Sequence, residues 1–322
     1  LEEAKEKIKV GMKIQIREGS AARNFEALYS LVETDTEMCM FCSDDKHPHE
    51  LREGHINLLV KRALKKGLDL MKVLKVACIN PVQHYGLEVG LLQKGDSADL
   101  IVVDNLSELH ILETYIEGVR VAEKGKSLEA KIKVEPINNF RRGKVVDTDF
   151  KLRDQGENKP IIEVFDGQLF TKKVSASLKV EKGLLVSDLK KDILKIAVVN
   201  RYKDVPPAIA FVRNFGLKRG AIASSVAHDS HNVVVVGVSD EEIAKAVNLV
   251  MANKGGIVAV SDQVQEVLAL PIAGLMSDQA YAVVAKNYLK LDKLAKAFGS
   301  ELRAPFMTLS FMALLVIPCL KL

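Results

Sequence analysis

Apolar positions in the first eighty-four residues switch between strand-like and helix-like spacing. Met12, Ile14 and Ile16 alternate with polar residues, as expected of a strand, and the polar sequence REGS follows them. A second apolar run, EMCMFC, ends abruptly in SDDKHPHE. The predicted elements are the end of a helix at 1–9, strands at 12–16 and 37–42, and helices at 21–32, 55–66 and 70–79, the last stopped by Asn80-Pro81. Alternating strands and helices predict a parallel sheet or barrel.

The pattern changes after Tyr85. Turn glycines at 86, 90 and 95 precede an apolar β-rich run at 100–103, and the alternating sequence ETYIEGVRVAEKG contains a glycine where a hairpin turn or bulge fits. We therefore expect a small β unit over 85–130. Residues 131–160 are charged and lack regular apolar periodicity, which indicates a linker.

The remaining chain, 161–322, shows strands first and helices later. Six apolar runs predict the strands: IIEVFDGQLF, VSASLKV, ILKIAVV, AIAFVRNF, GAIASSVA and NVVVVGV. Helical spacing follows at 240–251 and 277–298, and Ser239 precedes acidic residues as an N-cap would. This order predicts an α+β domain.

Composition excludes several classes of protein. With 48% hydrophobic and 27% charged residues, the chain is neither collagen-like, mucin-like nor wholly disordered. The net charge of +4 arises from 46 basic and 42 acidic residues without a block of like charges, so no nucleic-acid partner is predicted. The most apolar stretch, 306–320, is shorter than the roughly 18 residues of a membrane span, so no membrane partner is predicted either.

Four cysteines (39, 42, 78 and 319) are too few and too irregularly spaced for a disulfide framework. The first ten residues are charged and lack the apolar region of a signal peptide. Together these features predict a cytoplasmic protein. Cys39 and Cys42 form one CxxC, but without a second pair they are interpreted as core thiols and not as zinc ligands.

Asp44 and Asp45 offer the clearest chemistry. They follow an apolar strand directly, at the end where barrel enzymes place catalytic groups. A carboxylate there can bind a divalent metal and accept a proton from water. The alternative is an ordinary loop or helix cap, for which Asp and Ser are common residues.

Two further polar segments could contribute to a site. Arg17, Glu18, Gly19 and Ser20 end the first strand and could hold a substrate heteroatom, or form a salt-bridged loop. The sequence HDSHN, with His228, Asp229 and His231, lies between two apolar runs and could bind metal, act as an acid/base pair, or form a hydrogen-bonded turn. The glycines of the last half form neither GxGxxG nor a P-loop.

Several segments together resemble the amidohydrolase superfamily. CSDDKHPHELREGHINLLV, INPVQHYGL and VGLLQKGDSADLIVVD are similar to its last barrel strand, last helix and return into a small β-sandwich. IREGSAARN, FGLKRGAIASSVAHDSHN, LPIAGLMSD and PFMTLSF resemble the adenine deaminase family. The implied fold class is α/β plus α+β: a carboxy-terminal part of a (β/α) barrel (1–84), a β-sandwich portion (85–130), a linker (131–160) and an α+β domain (161–322).

The resemblance implies hydrolysis of adenine to hypoxanthine and ammonia, a reaction of purine salvage. Asp44 would be a metal ligand and general base, and Asp45 a supporting or substrate-contacting acid. Residues 17–20 would line the substrate pocket. His228, Asp229 and His231 would line the active site or hold a second metal. The implied cofactor is a divalent metal, manganese or iron with zinc as an alternative, and the implied assembly is a homodimer.

The chain departs from the family in one respect. Family members have an HxH pair on the first barrel strand, with a Glu and further histidines on middle strands. In this sequence no HxH follows an apolar strand at the start, and the close pair His47 and His49 lies after SDD. We therefore expect a carboxy-terminal portion that is inactive alone, because a metal site needs several ligands fixed together. Alternatives are a non-catalytic fragment or scaffold, and an amidohydrolase for another aminopurine or a cyclic amide.

Overall fold

The computed structural model describes residues 1–20, 22–130, 132, 134–156 and 159–322. The chain forms two compact units. The first contains Leu1–Lys46 and Glu53–Lys133, and the second contains His47–Arg52 and Val134–Leu322. The short segment 47–52 therefore belongs to the second unit although the chain on both sides of it belongs to the first.

The helices are α1 Glu2–Lys9, α2 Phe25–Leu28, α3 Leu31–Thr34, α4 Pro48–Leu51, α5 Ile56–Lys65, α6 Leu70–Leu74, α7 Asn80–Tyr85, α8 Asp240–Ala252, α9 Tyr281–Ala297 and α10 Pro305–Ser310. The strands are β1 Ile14–Arg17, β2 Cys39–Cys42, β3 Leu100–Val103, β4 Ile111–Ile116, β5 Val119–Glu123, β6 Lys126–Ser127, β7 Leu152–Arg153, β8 Pro160–Glu163, β9 Lys172–Ser175, β10 Lys179–Glu181, β11 Leu184–Val186, β12 Ile193–Val199, β13 Ala208–Arg213, β14 Ala221–Ser224, β15 Val233–Gly237, β16 Gly256–Val260 and β17 Gln265–Ala269.

In the first unit, β1 and β2 pair in parallel, with Ile14 opposite Cys39 and Arg17 opposite Cys42. Their apolar side chains are buried with those of the surrounding helices, so both strand ends rest on a packed core. A separate antiparallel sheet has the order β3-β4-β5-β6, and its central hairpin turns at Glu117-Gly118, where both residues have positive φ. The predicted hairpin turn is thereby confirmed.

The second unit is built on an eight-stranded sheet of order β17-β16-β14-β15-β12-β13-β8-β9. All its pairs are antiparallel except β8 with β13. The central strands are buried on both faces: Val234 and Val236 face the core that contains residues of α9 and α10, while Val233 and Val235 face the core that contains residues of α8. Double burial explains the continuous apolar runs of these strands.

Several sequence-based element predictions need correction. The predicted helix 21–32 is two short helices, α2 and α3, and residue 21 lies outside the described part. Asn80-Pro81 does not stop a helix: a π-helical turn at Lys75–Ile79 leads into α7, which ends at Tyr85 with Gly86 as its C-cap. Proline is tolerated in the first turn of a helix because the amide it lacks has no partner there. Helix α9 begins at Tyr281 and not at 277, and strands β16 and β17 were not predicted.

The predicted domain boundaries at 84, 130 and 160 stay predictions. Within the predicted linker, Val145 and Phe150 are buried in the core beside α8. Among the described residues, no helix has the length and apolarity that crossing a membrane requires.

Candidate active site

The polar ends of β1 and β2 meet at one edge of the first unit. Because the strands are parallel and in register, Arg17 and Cys42 are opposite residues, and the segments after them run side by side. Arg17 Nη1 lies 2.6 Å from Asp44 Oδ2. Both side chains are about one-third exposed, at 37% and 31%. The two sequence-predicted segments therefore come together through an ion pair.

Backbone hydrogen bonds fix the two segments to each other. The amide of Glu18 donates to the carbonyl of Cys42 at 3.1 Å, and the amide of Ser20 donates to the carbonyl of Asp45 at 2.9 Å. A Cβ at Gly19 would lie 3.3 Å from that same carbonyl, which is closer than most real contacts. Glycine therefore permits the close approach of the two loops.

Asp44 has a φ of 53°, in the left-handed region. Aspartate tolerates this conformation better than most residues other than glycine, because its short polar side chain can bond locally. The backbone turn directs the carboxylate to Arg17 and places the Asp44 amide 3.3 Å from Cys42 Sγ.

Glu18 is occupied by a different partner. Its Oε2 accepts a hydrogen bond from Arg62 Nη1 at 2.7 Å. Arg62 also lies over the ring of Phe25, 4.4 Å from its centroid. The role predicted for Glu18 in substrate binding stays a prediction, and in this structure the carboxylate ties α5 to the end of β1.

His55 is a neighbour that the sequence-based analysis missed. Its Nε2 lies 2.7 Å from Ser43 Oγ, next to Asp44 along the chain. The sequence places this histidine at the start of a predicted helix, just after the polar loop, and this position could have indicated it. Spacing alone, however, does not show whether the imidazole ring points toward the loop.

The motif His228, Asp229 and His231 lies in the second unit, between β14 and β15. The rings of His228 and His231 are 5.9 Å apart, and His228 stacks on Phe311 at 4.6 Å. The amide of His231 donates to Ala227 at 2.7 Å, as in a hydrogen-bonded turn. Burial, followed by the charges of His228 and Arg201, lowers the pKa of His231. The predicted roles of these three residues stay predictions.

The described residues do not form a metal site. No three His, Cys, Asp or Glu side chains in that part of the chain converge as a metal-binding group. Asp44, the predicted ligand, forms an ion pair with Arg17, and its role as a metal ligand stays a prediction. All four cysteines are free thiols and Cys39 is buried, in keeping with its interpretation as a core residue. We therefore assign no chemical step to a metal.

Comparison with known proteins shows which families the sequence matches. Residues 1–148 match the amidohydrolase family, and residues 168–322 match the adenine deaminase C-terminal domain. The whole chain aligns with the adenine deaminase of Salinibacter ruber at 52% identity and with that of Sulfurovum sp. at 53%. The chain is therefore similar to adenine deaminases over its whole length, with an amidohydrolase segment followed by an adenine deaminase C-terminal segment. The family resemblance inferred from the sequence motifs is thus confirmed.

The adenine deaminase of Methanosarcina acetivorans is 50% identical over the whole chain. This chain spans 59% of the length of the Salinibacter and Sulfurovum relatives and 60% of the Methanosarcina one. An adenine deaminase of this family thus has a substantial further portion that this alignment does not include. The amidohydrolase match supports the coarse prediction that the first unit contains a barrel-type segment. The mixed sheets of the chain are consistent with that prediction.

Proposed function

We propose that this chain forms part of an enzyme that hydrolyses adenine to hypoxanthine and ammonia. The observation that supports this most directly is the meeting of Arg17 and Asp44 at the carboxyl ends of the parallel strands β1 and β2. Barrel enzymes build their active sites at that end of the strands. We further propose that β1 and β2 are the last two strands of such a barrel.

In this proposal Asp44 is the general base. Water adds to the ring carbon that bears the amino group, and Asp44 accepts the proton that the water loses. The carbon–nitrogen bond then breaks, the same proton goes to the departing nitrogen, and ammonia leaves. The second proton of the water moves from the added oxygen to the adjacent ring nitrogen, so that the carbonyl of hypoxanthine forms. A positioned carboxylate typically contributes about 10²- to 10⁴-fold to such a proton transfer.

Arg17 orients this carboxylate. The bond between Arg17 Nη1 and Asp44 Oδ2 uses one carboxylate oxygen, which leaves Oδ1 to face a water molecule. Ser20 and Gly19 keep the neighbouring backbone closed through the bond from Ser20 to Asp45. A divalent metal, manganese or iron, stays an expectation from the family, with Asp44 as one ligand among others outside the described residues.

Two alternatives remain from the sequence: a non-catalytic scaffold, and an amidohydrolase for another aminopurine or a cyclic amide. A chimera distinguishes them. The matching segment of the Salinibacter ruber adenine deaminase would be replaced by this chain. The chimeric protein would be assayed for ammonia release from adenine and 2,6-diaminopurine and for ring opening of hydantoin. We expect the chimera to release ammonia from adenine at a rate within about ten-fold of that of the parent enzyme. Some loss of rate is expected because small displacements of active-site groups slow the reaction.

The unmodified Salinibacter enzyme and the 322-residue chain alone are the two controls. We expect no ammonia from the chain alone, with or without added manganese or iron. A folded chimera that fails on all three compounds would favour the scaffold, and preference for 2,6-diaminopurine or hydantoin would reassign the substrate. Light scattering of the same samples tests the predicted dimer.

A further inference from the structure

Helix α5 reaches both of the polar strand ends in the first unit. Arg62 in this helix donates to Glu18, directly after β1, with Nη1 2.7 Å from Oε2. His55, seven positions earlier and directly before α5, lies beside Ser43, directly after β2, with Nε2 2.7 Å from Oγ. Seven positions are about two turns of helix, so the two contacts lie along one face of α5. One helix therefore contacts the segments that follow two neighbouring strands.

The position of α5 is fixed by the core of the first unit. Leu59, Val60 and Ala63 are at most 5% exposed and belong to the same apolar core as Ile16 of β1 and Phe41 of β2. Because this core is shared, α5 cannot shift relative to the two strands without losing close-packed apolar contacts. A side chain at the start of α5 is thus presented by a packed element.

Backbone hydrogen bonds fix His55 at the start of α5. Its amide donates to Asn57 Oδ1 at 2.8 Å, and its carbonyl accepts from the amide of Leu58 at 3.1 Å. Both backbone groups are therefore engaged within the first turn of the helix. The imidazole, in contrast, turns back to the hydroxyl of Ser43. The ring thereby connects α5 to the loop after β2.

Asp44 lies between two residues that are each tied to another part of the first unit. Ser43 is held through its hydroxyl by His55. Asp45 is held through its carbonyl, which accepts from the amide of Ser20 at 2.9 Å. The side chain of Asp44 itself is 31% exposed. The position of Asp44 therefore depends on the ties of its two neighbours more than on packing around its own side chain.

We propose that His55, through its hydrogen bond to Ser43, is a positioning residue for Asp44. This inference rests on the proposed function, in which Asp44 is the general base. It gives α5 a task in the reaction, because the helix then holds the loop that presents the carboxylate. A displacement of about 1 Å can cost about 10²-fold in rate, so the loss of one tie next to the base is enough to slow turnover.

Hydrogen exchange tests the tie without any activity. In the 322-residue chain, we expect His55→Phe to speed exchange of the Ser20 amide by about three- to ten-fold, the effect of one lost hydrogen bond on opening of the loop 43–45. The Glu18 amide donates to Cys42 before this loop begins, so its rate should change by less than about two-fold. Exchange at single residues is followed by NMR. An unchanged Ser20 rate in His55→Phe overturns the proposal.

Two further variants control the same measurement. His55→Gln places an amide near the position of Nε2, and an amide can donate to the Ser43 hydroxyl or accept from it, so the Ser20 rate should stay within about two-fold of the unchanged chain. His110→Phe removes another exposed histidine contact of the same length, 2.7 Å to Asp104, in the same unit. It should leave the Ser20 rate unchanged. An equal response to His110→Phe contradicts a specific role of His55.

A double-mutant cycle in the Salinibacter chimera tests whether His55 acts through Ser43. His55→Phe and Ser43→Ala should each lower kcat by about ten-fold and leave KM within about two-fold, because they displace the base and not the substrate contacts. The double variant should lose no more than either single variant, since both changes remove the same bond. Independent effects would multiply to about 10²-fold, and that result overturns the positioning role.

The two proposals fail in different ways. A chimera with the unchanged residues that releases no ammonia from adenine contradicts the proposed function, and the exchange measurement still decides whether His55 holds the loop. An active chimera whose kcat is indifferent to His55→Phe contradicts the positioning role alone.

Discussion

Arg17 and Asp44 form an ion pair across the ends of two parallel strands, with Arg17 Nη1 and Asp44 Oδ2 2.6 Å apart. Each residue belongs to a different predicted segment, REGS and SDDKHP, and the parallel register of β1 and β2 brings them together. A pair that is about one-third exposed adds little to stability, and under the proposed function its role is to orient the carboxylate.

Replacing Asp44 by asparagine should abolish turnover. In the chimera we expect Asp44→Asn to lower kcat by about 10³-fold, because the amide has the shape of the carboxylate but cannot accept the proton. Asparagine also tolerates the positive φ of this residue, so folding should be preserved. The assay is ammonia release from adenine. Asp69→Asn, at the N-cap of α6, is the control, and equal losses in both variants would contradict the role of Asp44.

Changing Arg17 should separate stability from activity. We expect Arg17→Gln to change the free energy of unfolding in urea by less than about 1 kcal/mol, because the ion pair is partly exposed. The same variant should reduce kcat in the chimera by about ten-fold, since the carboxylate loses its orienting bond. The kcat of Arg17→Lys should lie between those of the unchanged chimera and Arg17→Gln, because lysine keeps the charge of arginine but not its planar geometry. Unchanged kcat in Arg17→Gln would contradict this account.

The sequence predicted the pairing of these segments because the pattern of alternate burial identifies strands, and consecutive strands separated by a helix are usually parallel. The sequence could not predict with which acidic residue Arg17 would form an ion pair. The partner depends on the positive φ of Asp44, and this backbone conformation depends in turn on the hydrogen bonds that the amides of Glu18 and Ser20 donate to the neighbouring loop. The occupation of Glu18 by Arg62 depends likewise on how α5 packs.

Other differences have a different origin. Strands β16 and β17 were not predicted, because the periodicity of a five-residue apolar run such as GIVAV does not distinguish a strand from a buried helix segment. The place of His47 within the second unit could not be predicted at all. Its ring lies against Tyr288, 241 positions later in the chain, and no local pattern encodes such a pairing.

A buried ion pair in the second unit should dominate its stability. Lys195 Nζ lies 2.5 Å from Asp240 Oδ1 and donates to the carbonyl of Phe150 at 2.8 Å, with the lysine side chain only 3% exposed. We expect Lys195→Met to cost about 3–5 kcal/mol in the free energy of unfolding, because it leaves a buried carboxylate without its charge partner. Urea unfolding followed by circular dichroism measures this.

A surface pair provides the comparison. Lys290 pairs with Glu266 but is 60% exposed. Lys290→Met should change the free energy of unfolding by less than about 1 kcal/mol. Similar decreases in the free energy of unfolding in the two lysine variants would contradict the prediction that burial makes the Lys195 ion pair more important for stability.

His231 should make the fold less stable in mild acid. Burial and the charges of His228 and Arg201 lower its pKa in the folded chain, so between that lowered value and the ordinary 6.5 the unfolded chain binds more protons. Its contribution to stability is present above pH 6.5 and is lost as the pH falls. We expect the decrease in melting temperature from pH 7.5 to pH 5.5 to be smaller in His231→Gln, with the exposed His84→Gln as control. An identical decrease in both variants contradicts this prediction.

The cysteines should differ sharply in reactivity. Burial raises the pKa of Cys39 to about 12, whereas Cys319 is exposed. Because the thiolate is the reactive form, Cys319 should react with a disulfide reagent such as DTNB at pH 8 in the native chain, and Cys39 only after unfolding. Peptide mass spectrometry identifies the labelled residues. Cys319→Ser should remove one rapidly reacting thiol, and early labelling of Cys39 would contradict its burial.

The second unit is discontinuous in sequence, and this sets a rule for engineering the family by domain exchange. A gene segment that encodes only 134–322 omits α4, so the ring of Tyr288 would lose His47 and His49 and meet water. Such a segment is an incomplete module. A transplanted C-terminal domain needs the matching hexapeptide His47–Arg52 in its new host, and recombination between distant relatives should succeed most often when those six residues are exchanged with it.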